Sequence, residues 1–390
     1  MSSHHPLLFA AVGGEIDLAT ALLFYAIVYQ KKRANEELSM AELIWKGKHA
    51  REQETFINST LATQHLCTYE SFEGESFDGQ PTVMLSNSTI APTQRWYNRL
   101  ILGDKSAILR VLLPEFAGQV NLIYIDPPFM TGRNFKNGEQ LAFSDKWGND
   151  LDTYLQWLYE TFMLLKLLLT SNGSLYVHLD WRVTHYARVI LDEVFGFNSG
   201  ADGPGFKNEI IWHYHSGGRS QKRYASKHDT ILFYSKSAQY CFHGERIGER
   251  RGTKKRNHMK KWVGTDGHTH WTIHSAGRLY SYDEDTRMTP TDVWSDISHL
   301  HQKDPERNGY ATQKPAELLE RVILASSEEN DLVLDCFCGS GVTPAVAEQL
   351  GRRWIACDQS ELALKLTCER ILTSDRVHPF VMQRLENAAQ

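Results

Sequence analysis

Three regimes of hydrophobic patterning succeed one another along the chain. Residues 1 to about 95 hold an apolar segment with helical spacing (Ile16–Gln30), a charged segment (Lys31–Glu54) and a Ser/Thr-rich stretch without period. They read as an N-terminal helical appendage that packs on the core or pairs with a second copy. From Arg99 to about Phe197 short apolar runs alternate with longer ones of helical period. Val120–Ile125 is a buried strand stopped by Asp126-Pro127-Pro128, because proline cannot donate to a ladder. Leu151–Leu169 has helical spacing, Ser171-Asn172-Gly173 reads as a turn, Ser174–Leu179 as a second buried strand, and Trp181–Phe195 as a helix closing on Gly196.

Residues 199 to about 305 break this rhythm. They are rich in Gly, His, Arg and aromatics, with short strand candidates at Glu209–Tyr214 and Thr230–Tyr234, and read as an insertion. After Lys314-Pro315 the alternation returns: a helix (Ala316–Ser326), a strand (Leu332–Asp335), a glycine loop, a helix (Thr343–Leu350), a strand (Trp354–Cys357) and a last helix (Glu361–Leu372). The pattern predicts an α/β fold divided as an appendage (1–95), a first half (96–198), an insertion (199–305) and a second half (306–390).

Composition narrows the class. With 390 residues, 42% hydrophobic and 23% charged, the chain lies in the globular range and can bury a sizeable core. The longest apolar run, Leu18–Tyr29, has twelve residues, whereas a bilayer needs about twenty; no membrane partner is expected. Six scattered cysteines suggest a reducing, cytoplasmic setting rather than a disulfide framework. No metal is expected either, because Cys336-x-Cys338 lacks a second pair and His268, His270 and His274 lie in a polar loop without a cysteine. The net charge of −5 argues against a protein that coats nucleic acid, yet residues 207–261 carry fourteen Lys/Arg against four Asp/Glu, so the remainder carries −15. That one segment is suited to a polyanion.

Two motifs carry chemistry. Leu332–Gly341 is an apolar strand running into Gly339-x-Gly341 and a helix, where glycines let backbone approach a ligand. The next strand ends at Asp358, seventeen residues after Gly341, where a carboxylate can accept from ribose hydroxyls. A third glycine is missing, since Pro344 stands in its place, so a nucleoside without a pyrophosphate fits better than a dinucleotide. The second motif, Asp126-Pro127-Pro128-Phe129, follows a strand; acid-Pro-Pro-aromatic should arise by chance in roughly one chain in two hundred of this size. An exocyclic amine on adenine or cytosine is a poor nucleophile because its lone pair is delocalised into the ring. Two fixed acceptors, the Asp126 carboxylate and the Pro127 carbonyl, can bind its two N–H groups and draw the lone pair out of conjugation. The prolines stiffen that arrangement, and Phe129 can stack on the base. No metal is needed, because a thioether leaving group is neutral.

In this order the motifs resemble the amino-group DNA methyltransferases that use S-adenosylmethionine, in their permuted β-type arrangement. Arg99-Leu-Ile-Leu-Gly-Asp104 comes first, then the Asp126–Phe129 turn, the basic insertion, Thr312-Gln313-Lys314-Pro315, and Asp335–Gly341; the resemblance covers roughly residues 95–375. It implies a Rossmann-like methyltransferase fold with an inserted target-recognition region. Asp335, Phe337, Gly339 and Gly341 would shape the cofactor loop, Asp358 would hold the ribose, Asp104 would lie beside the adenine, and Thr312, Gln313 and Lys314 would close the site. Cys336 stands where the family often has proline, and Val342 where threonine is common; neither change removes a group with a chemical role.

The resemblance also implies double-stranded DNA as partner, with the target base flipped into the pocket. Arg219, Lys222, Arg223, Arg250, Arg251, Lys254, Lys255 and Arg256 are expected at the DNA, with Arg219 or His215 suited to base edges. Met130–Trp147 is expected to be a mobile loop that orders on DNA. The family leaves room for a homodimer and a restriction endonuclease counterpart, in a prokaryotic or phage-type setting. Asp126 favours transfer to N6 of adenine, with N4 of cytosine as the alternative, since serine at that position leans toward cytosine. A DNA-binding regulator with a vestigial site conflicts with the intact Asp126, Gly339, Gly341 and Asp358. A nicotinamide oxidoreductase leaves the proline turn unexplained.

Overall fold

The computed structural model describes residues 43–46, 48, 64–74, 96–137, 140–148, 150–197, 203–215, 221–251, 258–265 and 267–387. The expected helix Ile16–Gln30 and most of the appendage lie outside the described residues. In chain order the first elements are β1 (Gln64–Phe72), β2 (Asn98–Leu102), α1 (Lys105–Phe116), β3 (Val120–Ile125), β4 (Asn134–Asn137) and β5 (Gln140–Ser144). Next come α2 (Leu151–Leu168), β6 (Leu169–Leu179), α3 (Thr184–Phe195), β7 (Gly205–His213), β8 (His228–Ser235), β9 (Glu249–Arg250) and β10 (Lys260–Val263). Then follow β11 (Thr269–Ser275), β12 (Arg278–Asp283), β13 (Arg287–Met288), β14 (Val293–Trp294), α4 (Ala316–Ser326) and β15 (Leu332–Asp335). The chain closes with α5 (Val342–Gln349), β16 (Arg353–Asp358), α6 (Glu361–Leu372) and β17 (Phe380–Asn387).

A ten-stranded mixed sheet, in the order β1-β17-β2-β16-β15-β3-β6-β8-β7-β14, organises these elements. Strands β17 through β6 run parallel, while β1 and β8 pair antiparallel at either flank. The parallel strands are apolar at successive positions because helices cover both faces. Ile101, Ile123, Val177, Leu334 and Ile355 point to one core with α1, α2 and α3. Their neighbours Leu100, Leu122, Tyr176, Val333 and Trp354 point to the other, with α4, α5 and α6. This is the period of two expected of strands buried on both faces. α2 contributes the stripe Tyr154, Leu155, Leu158, Phe162 and Leu165, all buried; each such side chain contributes about 1.5–3 kcal/mol relative to exposure.

Several boundaries differ from the pattern for physical reasons. The turn Ser171-Asn172-Gly173 is a register shift within β6, between its pairs Val120–Leu169 and Leu122–Ser174. α3 begins at Thr184 rather than Trp181, because the Asp180 carboxylate accepts from the Arg182 N–H at 2.8 Å and folds Trp181–Val183 into a turn. The expected insertion is not a separate body from its first residue: β7 and β8 extend the central sheet from β6, and β14 returns to pair with β7. What stands outside that sheet is the ribbon β10-β11-β12 and the short pair β9–β13. Met130–Trp147 is a hairpin, β4–β5, pinned by Asp145, whose carboxylate accepts from the N–H groups of Met130 (3.0 Å) and Thr131 (2.8 Å) and from the indole of Trp147 (3.1 Å). Among the described residues, no helix is long and apolar enough to cross a membrane.

Candidate active site

Parallel sheets bind ligands outside the carboxyl ends of their strands, where neighbouring crossovers diverge to opposite faces. Here that point lies between β3 and β15, which pair in parallel and are followed by Asp126 and by the Asp335–Gly341 loop. A cleft of about 310 Å³ opens there. Of the residues expected from sequence, Asp104, Asp126, Pro127, Pro128, Phe129, Thr312, Lys314, Asp335, Phe337, Gly339 and Asp358 all line it. Residues from both halves of the chain thus meet in one cavity.

The glycine loop is held by its own carboxylates. Asp358, at the end of β16, accepts from the N–H of Gly339 at 3.0 Å and of Ser360 at 2.9 Å. Asp335 accepts from the Phe337 N–H at 2.9 Å. Gly341 caps α5 with φ of 76°; a Cβ there would lie 2.7 Å from the Cα of Thr367, so only glycine fits. Gly341 therefore shapes the loop from behind, outside the cleft. Gln313 is also outside it: its amide donates to the Glu306 carbonyl at 2.8 Å and accepts from the Asn308 N–H at 2.9 Å, bracing the loop before α4. Asp104 caps α1 by accepting from Ser106 and Ala107 N–H at 3.0 and 3.1 Å.

Burial leaves this cleft rich in poorly solvated negative charge. Desolvation pushes Asp335 up to about 7 and Asp358 up to about 6, against the hydrogen bonds that favour their ionised forms. The cleft also holds Lys105, which patterning gave no reason to single out. Its ammonium donates to the Thr161 hydroxyl and lies 4.4 Å from the Trp157 ring centroid, and burial pulls it down to about 8. The thiols of Cys336 and Cys338 are pushed up by burial and stay protonated.

At the Asp126–Phe129 turn, Lys314 Nζ donates to Asp126 Oδ2 at 2.5 Å. Asp126 Oδ1 is buried and has no hydrogen-bond partner among the described residues. Tyr154 fixes the turn from α2 by donating to the Pro128 carbonyl at 2.8 Å. Met130 follows in a left-handed conformation, φ 59°, held by Asp145. Beneath Phe129 lies His178, its ring nearly parallel (15°) with centroids 6.3 Å apart. His178 Nδ1 is 2.8 Å from the Tyr124 hydroxyl and Nε2 is 3.2 Å from Asp229, whose other oxygen accepts from Tyr214 at 3.1 Å. This buried polar chain supports the aromatic floor; its members are scattered over β3, β6, β8 and the end of β7, so no local motif announced it.

The basic residues divide. Lys222 and Arg223 are exposed. Arg250 is exposed and pairs with Asp285 at 3.0 Å. Arg251 departs from expectation: it is 8% exposed, with its guanidinium 4.3 Å from the centroid of the buried Trp271 ring. It is a core residue of the small ribbon rather than a surface cation. Arg219, Lys254, Lys255 and Arg256 lie outside the described residues.

A carboxylate-lined cleft at the switch point of a parallel sheet, with a proline-stiffened acceptor turn at its edge, defines a nucleoside-binding transferase. The N6/N4 methyltransferase family model, described as DNA methylase, matches residues 120–369. The chain belongs to this family of S-adenosylmethionine-dependent DNA methyltransferases. It is 28% identical to the DNA adenine methyltransferase YhdJ of Escherichia coli K12 over 274 residues, 70% of this chain and 82% of that protein. It is 30% identical to the type II methyltransferase M1.MboII of Moraxella bovis over 251 residues, 62% of this chain and 85% of that one. Among solved structures, the cytosine-N4-specific PvuII DNA methyltransferase aligns with a TM-score of 0.46 and 21% identity, covering 71% of this chain and 88% of that one.

The cleft fits the methyl donor on its own evidence. S-adenosylmethionine carries a sulfonium, an ammonium and ribose hydroxyls, and Asp335 and Asp358 are buried carboxylates that can receive a cationic group and ribose donors respectively. Gly339 leaves room where a Cβ would crowd Tyr310 at 3.0 Å.

Proposed function

We propose that the protein methylates N6 of adenine in duplex DNA at a specific sequence. The observation that carries this reading is the carboxylate of Asp126: one oxygen is held by Lys314, and the other is buried at the cleft without a hydrogen bond. An acceptor left unpaired in that way costs about 1–3 kcal/mol, which an incoming N–H recovers. Asp126 and the Pro127 carbonyl accept the two amine protons, drawing the lone pair toward the methyl donor and stabilising the positive charge that develops on nitrogen. Lys314 fixes the carboxylate's orientation, Tyr154 fixes the turn, and Phe129, backed by His178, stacks on the flipped base.

S-adenosylmethionine, when bound, supplies the methyl group and leaves as a neutral thioether. Asp335, Asp358, Asp104, Thr312, Phe337 and Gly339 hold it, with Gly341 and Gln313 bracing their loops from behind. Lys222, Arg223 and Arg250 meet phosphates, and Arg219, Lys254, Lys255 and Arg256 are assigned the same role from their charge. A homodimer and a restriction endonuclease counterpart are part of this reading.

Methylation of N4 of cytosine is the second reading, since the same two acceptors suit that amine. Expression in a bacterium free of its own DNA methylation, followed by modified-base sequencing of the chromosome, separates the two. N6-methyladenine at one recurring motif supports the proposal, and N4-methylcytosine overturns it. An Asp126→Ala control should leave the chromosome unmodified.

A further inference from the structure

Far from the cleft, the connection after β8 meets the turn after α4. Cys241, His243 and Glu328 bring one sulfur, one nitrogen and one oxygen to within 4.8 Å of one another. Cys241 Sγ lies 3.1 Å from His243 Nε2, and Glu328 Oε1 lies 2.7 Å from the same nitrogen. The opposite ring nitrogen, Nδ1, faces Glu245 at 3.3 Å. A neutral imidazole that donates from Nδ1 to Glu245 points the Nε2 lone pair at a carboxylate oxygen and a sulfur. With the Cys241 thiol deprotonated, the sulfur, nitrogen and oxygen, all within 4.8 Å of one another, can share one cation.

We propose that Cys241, His243 and Glu328 form a binding site for a single zinc ion. Mixed sulfur, nitrogen and oxygen ligands suit this borderline-soft ion, with water in the fourth position of a half-buried site. Binding forms the zinc–thiolate bond and breaks the Cys241 S–H bond, the proton leaving to solvent. The Glu245 carboxylate, 3.3 Å from the far ring nitrogen, would accept a hydrogen bond from its N–H once Nε2 ligates the ion, the carboxylate–histidine arrangement of metal sites. The Arg246 guanidinium reaches both Glu328 oxygens, Oε2 at 2.8 Å and Oε1 at 3.1 Å, and fixes the carboxylate in place.

The ligands' backbones are already tied down: the Cys241 N–H donates to the Asn172 carbonyl at 3.3 Å, and the His243 N–H to the Ala325 carbonyl at 2.7 Å. Little ordering is left to oppose binding. The ion would clamp the chain leaving β8, which leads into the basic ribbon, to the turn between α4 and β15, which leads into the glycine loop. The site thus joins the DNA-facing segment to the cofactor half without touching the cleft.

The test uses the full chain, stripped with a chelator and dialysed. Zinc is titrated in competition with a chromophoric chelator, and cobalt is added separately to read the thiolate-to-cobalt charge-transfer absorption. The expected result is about one equivalent of tight zinc and a cobalt charge-transfer band. Cys241→Ser should abolish the band, and Glu245→Gln should weaken zinc by about tenfold through loss of the orienting carboxylate. Far-ultraviolet circular dichroism of each variant checks that it is folded. No charge-transfer band, or zinc bound equally well by the wild type and Cys241→Ser, overturns the proposal and leaves His243 as a structural contact of Cys241, Glu245 and Glu328. These readouts do not involve methyl transfer, so they stand or fall apart from the function proposed above.

Discussion

Cofactor affinity should fall steeply with acid, and the amount follows from two buried carboxylates. Asp335 titrates at about 7 and Asp358 at about 6, both raised by burial. A cationic group near Asp335 and ribose hydroxyls donating to Asp358 both favour the ionised carboxylates, so binding is full above both values and is lost as pH falls through them. Between pH 7.5 and 5.5 the ionised fraction of Asp335 drops about 25-fold and that of Asp358 about fourfold. Together these predict about 100-fold weaker S-adenosylmethionine at the lower pH, close to 2.7 kcal/mol at about 1.36 kcal/mol per tenfold. Near pH 6.5, binding should also release about one proton, because Asp335 is then mostly protonated and Asp358 only partly so. Isothermal titration calorimetry in buffers of different ionisation enthalpy measures both quantities. Asp335→Asn should flatten the upper part of the profile. Affinity constant within threefold across this range, with no proton released, would refute the reasoning.

Other outcomes follow from single contacts. Gly341→Ala should cost about 2–5 kcal/mol, combining left-handed strain with overpacking against Thr367, and chemical denaturation would read it directly; an unchanged midpoint would mean that the loop yields freely. Asp126→Ala should lower the methyl-transfer rate by at least about 100-fold, as expected when one preorganised polar group is removed, while cofactor affinity by calorimetry stays within about threefold. A Lys222→Ala/Arg223→Ala double variant should reduce the slope of log DNA affinity against log salt by about 2, measured by fluorescence anisotropy; an unchanged slope would place these side chains away from phosphate.

The parallel strands and their helices were legible in sequence because burial on both faces leaves continuous apolar runs, and Asp126-Pro127-Pro128 and Gly339-x-Gly341 mark where two of those runs end. Chemistry at strand ends is local in sequence, so eleven expected residues fall on one cleft. What local pattern missed depends on contacts between distant segments. Lys314 and Asp126 are 188 positions apart, and nothing in either neighbourhood encodes their pairing. The pairing of β7 and β8 with the central sheet was hidden for the same reason, since strands of the insertion look alike whether they extend a sheet or form their own. Charge counting treated Arg250 and Arg251 as equivalent, yet β9 sends one to solvent while its neighbour turns onto Trp271. Gln313 and Gly341, expected at the cofactor, instead brace loops from behind the cleft, a distinction that depends on Glu306 and Thr367.

The most direct measurement of the central claim is transfer by the purified protein of a labelled methyl group from S-adenosylmethionine to unmethylated duplex DNA, followed by digestion and mass spectrometry of the nucleosides. Label is expected in N6-methyldeoxyadenosine and is lost in Asp126→Ala. Label in N4-methyldeoxycytidine, or equal labelling by the Asp126→Ala variant, would contradict that claim.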